Sequence, residues 1–236
     1  MPMHCSRKRS VLSVLIASLA GVAACSGAWA QPEKTPDPNI TKLTEVIYHD
    51  NLGVALLRRH DIEGAKQEFL KAIAIDPAHA ASYCNLGGAL FAQGKIEDAM
   101  AAFRDAIRIM PADSLAHYNL GTALESRGRR HEAVASYREA IRLKPDYAEA
   151  YYNLGNALRD LGDPEGAIEA FHRVVELDSY DPDVRYNLGL LLKDRGRRSE
   201  AVEQFREYIR LASGIPSHAS RVESARKYLR ETGASE

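Results

Sequence analysis

Asn-Leu-Gly occurs five times at one constant spacing: at 51–53, 85–87, 119–121, 153–155 and 187–189. Each copy follows the last by thirty-four positions. Twelve residues after each glycine stands an alanine: Ala65, Ala99, Ala133, Ala167 and Ala201. Four residues further on comes an aromatic: Phe69, Phe103, Tyr137, Phe171 and Phe205. A period kept without insertion makes each unit a neighbour only of the next. Such a chain stacks into an elongated solenoid with a groove and does not close around a central pocket.

Each unit reads as two helices. In the second, helix A is expected over about Ser82 to Gln93, and Gly94 ends it in a left-handed conformation. Gly128, Gly162 and Gly196 hold the same place, and His60 replaces glycine in the first unit. Helix B is expected from Ile96 to Ile109, with Ala99, Phe103, Ala106 and Ile107 on one face at spacings of three and four. Pro77, Pro111 and Pro145 stop their helices. The recurrent residues are packing residues. Small Gly and Ala let A and B cross closely, and Leu with the aromatic fills the space beside the crossing. No strand pattern is legible.

The order and spacing of Leu-Gly, Ala, aromatic and Pro within each unit resemble the tetratricopeptide repeat. The resemblance implies an all-α fold, an α-solenoid built as a right-handed superhelix of helix-turn-helix units. The five units run 46–79, 80–113, 114–147, 148–181 and 182–215. Pro216 lies one full period after Pro182, and Val222, Ala225 and Leu229 mark one face of a further helix within 216–236. In such arrays a helix of this kind caps the last apolar face.

The first thirty residues stand apart. Arg7, Lys8 and Arg9 precede an uncharged run from Val11 to Ala24, which is short for a membrane span and suited to a signal peptide. Ala28-Trp29-Ala30 fits a cleavage site before Gln31, while Val22-Ala23-Ala24-Cys25 resembles a lipobox in which Cys25 carries lipid. Both readings imply export, to the periplasm or beyond or to an outer-membrane anchor. Residues 31–45 read as a proline-rich linker and helix lead-in, with Pro32, Pro36 and Pro38 keeping it extended to about residue 43. Of 31 Lys and Arg, three lie in the leader, so 28 remain against 32 Asp and Glu. That balance excludes a nucleic-acid partner, which would need a strongly basic face.

The resemblance implies that helix A lines the concave surface and that the residues before Leu-Gly face the groove. These are Asn51, Asn85, Asn119, Asn153 and Asn187. An amide offers both a donor and an acceptor, so a ladder of them suits an extended peptide backbone. The same asparagines could instead bond neighbouring repeats. Five such contacts at about 1 kcal/mol each give about 5 kcal/mol gross, whereas a micromolar complex needs about 8. Side chains beside the ladder must supply the rest. Tyr118, Tyr152 and Tyr186 precede three of the asparagines, and Asn156 and Arg159 follow on the fourth helix A. In the second unit Cys84 replaces the tyrosine. Groove charge reads as mixed: Glu149, Asp160, Asp183 and Asp194 against Arg159 and Lys193. The Lys and Arg of chaperone-binding clamps are not at the matching places. Basic turns at 127–130 and 195–198 read as solvated edges.

No phosphate loop, zinc-spaced histidine pair or nucleophile motif is present, so no catalytic residue, metal or cofactor is expected. The expected partner is a protein or peptide held in the groove. An alternative is an accessory subunit that recognises substrate for a separately encoded transferase. Self-association through an array end, giving a homo-oligomer, is the third reading. Membrane contact is expected only through a lipid on Cys25.

Overall fold

The computed structural model describes residues 38–178 and 180–234. The expected leader, its cleavage site and Cys25 lie outside them. The described chain is a row of antiparallel helix pairs: α1 (Pro38–Arg58) with α2 (Ile62–Ile75), α3 (Ala80–Ala92) with α4 (Ile96–Ile109), and α5 (Ser114–Ser126) with α6 (Arg130–Leu143). Then come α7 (Ala148–Asp160) with α8 (Pro164–Leu177), and α9 (Pro182–Asp194) with α10 (Arg198–Ala212). A 3-10 turn, Pro216–His218, leads into α11 (Ala219–Glu231). Among the described residues there is no strand.

Local signals explain the helix ends. His60, Gly94, Gly128, Gly162 and Gly196 all have positive φ, between 62° and 79°. This left-handed residue lets the next N–H turn back onto the helix it leaves. Lys95 N–H bonds the Leu90 carbonyl at 3.0 Å and Arg129 N–H the Leu124 carbonyl at 2.9 Å. Asp61 and Asp163 then cap α2 and α8 by accepting from Gly64 and Gly166. Asp113 and Asp181 do the same for α5 and α9.

One boundary differs from the sequence expectation. The segment expected to stay extended to residue 43 is helical from Pro38. Proline is well tolerated at the first helical position, because the N–H it lacks would have had no partner there. The result is an α1 of 21 residues, against 13 for α3. Ile40 and Tyr48 on it stay 62% and 61% exposed.

The core runs along the row as a spine. Phe69, Phe103, Tyr137 and Phe171 are fully buried, and so are the five alanines four residues before the aromatics. Each aromatic lies against the glycine of its own helix A. A Cβ on Gly87 would come within 2.5 Å of the Phe103 ring, and one on Gly121 within 2.6 Å of the Tyr137 ring. Glycine is therefore required for the A/B crossing. At the far end α11 packs on α10, with Val222, Ala225 and Leu229 buried. This helix covers the last apolar face with a polar outer surface.

Successive A helices touch one another, α1 to α3, α3 to α5 and α5 to α7, more closely than successive B helices do. A row of pairs that is tighter on one side curves toward that side. The A helices therefore line the inside of the curve.

Candidate functional site

The inner surface carries a repeating rung. Asn153 Nδ2 donates to Tyr118 Oη at 3.2 Å, and Asn187 Nδ2 to Tyr152 Oη at 3.4 Å. Asn119 Nδ2 meets Cys84 Sγ at 3.5 Å, at the position where later repeats have tyrosine. Each rung joins an asparagine to the residue just before the asparagine of the preceding repeat. One amide N–H thus ties neighbouring repeats together, and the amide oxygen and the second N–H are left to meet a ligand.

The five asparagines are not equivalent. Asn119 is 2% exposed and its Oδ1 has no hydrogen-bond partner. It is closed between repeats and cannot contact a groove ligand as it stands. Asn85, Asn153 and Asn187 are half-buried, and Asn51 is exposed on α1, the first described helix. Asn156 is half-buried, and exposed Arg159 pairs with its neighbour Asp160 at 3.1 Å.

The tyrosines pack and face the groove at once. Tyr118, Tyr152 and Tyr186 lie on the aromatics of their own helix B, with centroids 6.0, 5.8 and 5.9 Å from Tyr137, Phe171 and Phe205. All three remain half-buried. Burial pushes the Tyr118 phenol above its usual range, so it stays protonated and keeps its hydroxyl. Tyr147 also packs on Tyr118, at 5.0 Å.

A cavity of about 560 Å³ opens beside these rungs, between α5, α7 and α9. Tyr118, Tyr152 and Asn153 line it together with Glu149, Asp178, Asp181 and Asp183. The charged residues that line it are all acidic, unlike the mixture read along the whole groove, although Asp183 is paired with Arg221 of α11. Asp178 and Asp181 were missed as site residues because they belong to the α8–α9 connection and not to helix A. The available signal was local: this connection carries Ser179 where proline is expected, flanked by aspartates.

Most arginines of the basic turns are paired with carboxylates of the array itself, while Arg198 donates to the Thr232 carbonyl. Arg127 pairs with Glu97 at 2.9 Å and Arg195 with Glu165 at 2.8 Å, each reaching into the preceding repeat. Arg129 pairs with Glu132 and Arg197 with Glu200, both at 2.7 Å. These edges are cross-braced surfaces with little charge left for an anionic partner. Among the described residues no group of His, Cys, Asp and Glu could hold a metal ion.

Sequence profiles of the tetratricopeptide repeat match residues 118–182 and 155–216, and another matches 68–101. A TPR repeat profile matches 87–128. Curated proteins show no sequence match. Among solved structures the chain is similar to MamA at 26% identity, covering 67% of this chain and 93% of that one, with a TM-score of 0.63. It is similar to YrrB, a TPR protein with an unusual peptide-binding site, at 24% identity, 78% and 96% coverage and a TM-score of 0.62. PilF of Pseudomonas aeruginosa aligns at 22% identity, 81% and 93% coverage and a TM-score of 0.67.

Proposed function

Because this chain belongs to the tetratricopeptide repeat family, we propose that it is a non-catalytic scaffold holding an extended segment of another protein in its concave groove. The observation that carries this reading is the cavity between α5, α7 and α9. Two tyrosine rings, an asparagine and four carboxylates converge there on the inner face. Aromatic rings contribute area with few rotamers to freeze, and the amide oxygen can accept a backbone N–H. YrrB, with its peptide-binding site, has the same fold. The catalytic motifs missing from the sequence are consistent with a binding role.

The location of this role is proposed from sequence. Three basic residues, the uncharged run from Val11 to Ala24 and Ala28-Trp29-Ala30 support export to the cell envelope, with lipidation at Cys25 as the anchored variant. An accessory role beside a separately encoded transferase would use the same groove and differs only in the partner held.

A photo-crosslinking residue at Tyr152, compared with one at exposed Glu203 on α10, tests the groove in intact cells. The expected result is a discrete adduct from position 152 and none from 203. Adducts from 203 alone would move the binding surface to the outer helices and refute the proposal.

A further inference from the structure

The last rung of the ladder differs from the others. Arg221 on α11 lies one full period after Asn187 and so stands where the next asparagine would be. It does not copy the amide contact. Its guanidinium lies over the Tyr186 ring, 5.7 Å from the centroid, and pairs with the Asp183 carboxylate. His218 adds a second contact, with Nδ1 4.0 Å from the same carboxylate. A tyrosine face and a carboxylate three residues apart on helix A thus form a seat for a guanidinium, filled here by the chain's own capping helix.

One repeat earlier the same seat is present without its cation. Tyr152 and Glu149 are the counterparts of Tyr186 and Asp183, each one period earlier in the chain. The two rings are posed alike on their helix B aromatics, at 5.8 Å and 55° for Tyr152 and 5.9 Å and 64° for Tyr186. At this rung Asn187 bonds the Tyr152 hydroxyl and is too short and uncharged to engage Glu149. No described cation pairs with Glu149, which is exposed at the rim of the cavity. The third repeat has no such seat: Leu115 holds the carboxylate position and Tyr147 covers the Tyr118 ring.

We infer that the Tyr152–Glu149 seat takes a basic side chain, an arginine or a lysine, from the segment bound in the groove. Asp178 and Asp181 widen the acidic rim behind it. The inference rests on the proposed groove-binding role and adds the chemistry of its occupant. Arginine suits the seat better than lysine, because a planar guanidinium can stack on the ring and fork to the carboxylate together.

The test is selection of extended peptides from a displayed random library on the purified chain, repeated with Glu149→Gln and with Arg221→Ala. The expected outcome is enrichment of arginine or lysine at one peptide position. A selected peptide should lose about tenfold in affinity when that residue becomes glutamine, equivalent to about 1.4 kcal/mol. Glu149→Gln should abolish the preference, so that the selected peptide and its glutamine variant bind this protein equally. Arg221→Ala, which empties the fifth-repeat seat, should add a second basic position. Peptides selected with no basic preference, or a preference that survives Glu149→Gln, would overturn the seat and leave the groove reading standing. Selection of no peptide by any of the three proteins would overturn both.

Discussion

Gly87→Ala adds one methyl group to α3 and tests the reason for the glycine at every A/B crossing. The new Cβ would lie 2.5, 2.7 and 3.0 Å from three carbons of the Phe103 ring. Carbon atoms rest at about 3.5–4.0 Å, so ring or helix must move by about 1 Å. Phe103 is fully buried and has no solvent to swing into. Overpacking of this kind costs about 1–3 kcal/mol, while alanine in a helix interior gains about 1 over glycine. The net expectation is a loss of about 1 kcal/mol. Gly189→Ala is the matched control: its Cβ would meet the Phe205 ring at 2.9 and 3.1 Å, so the ring yields by about half as much. The propensity gain is common to both substitutions, so their difference isolates the clash. In a chain of this size each kcal/mol moves Tm by about 2–4 °C. Thermal and urea melts followed by circular dichroism should place Gly87→Ala below Gly189→Ala by about that amount. Amide exchange should locate the loss in α3 and α4, because repeat arrays need not melt as one unit. A Gly87→Ala protein as stable as the Gly189→Ala protein, or more so, would refute the packing argument.

Two further outcomes follow from the ladder and from the first repeat. Tyr118→Phe removes the hydroxyl that accepts from Asn153 and should cost about 0.5–1.5 kcal/mol in a melt, with helicity retained; an unchanged melt would mean that the rung does not stabilise the stack. His79 pairs with the buried Asp50 carboxylate at 3.1 Å, and that hydrogen bond holds the imidazole above its usual pKa of 6.5. A raised folded value means that stability is fully present below about pH 6.5 and is lost as pH climbs through the folded value. His79→Gln should therefore lower Tm more at about pH 6 than at about pH 9, and an equal loss at both would show that the contact is neutral.

Nearly all of the helical architecture can be read from the chain because the information is local and periodic. The constant spacing of the units, the left-handed residue at 94 and its counterparts, and the Gly, Ala and aromatic at fixed offsets each act within one unit or between neighbours. A short proline-rich stretch misled at Pro38, where one residue's backbone preference gave way to its suitability for a first helical turn. The inner surface was legible in its residue types and not in their pairings. An asparagine before Leu-Gly can face a ligand or a neighbouring helix, and its choice depends on distances between repeats that no single unit encodes. Stacking sends the amides of Asn153 and Asn187 to tyrosines of the preceding repeat and closes Asn119 away from the groove. It also brings two aspartates of a connecting segment to the cavity rim and swings Arg221 of the capping helix onto Tyr186. Pattern alone decides which residues line a face, since each helix sets its own periodicity. Which of those residues keep a free polar group for a partner depends on how tightly adjacent repeats press together, and that belongs to the assembled stack.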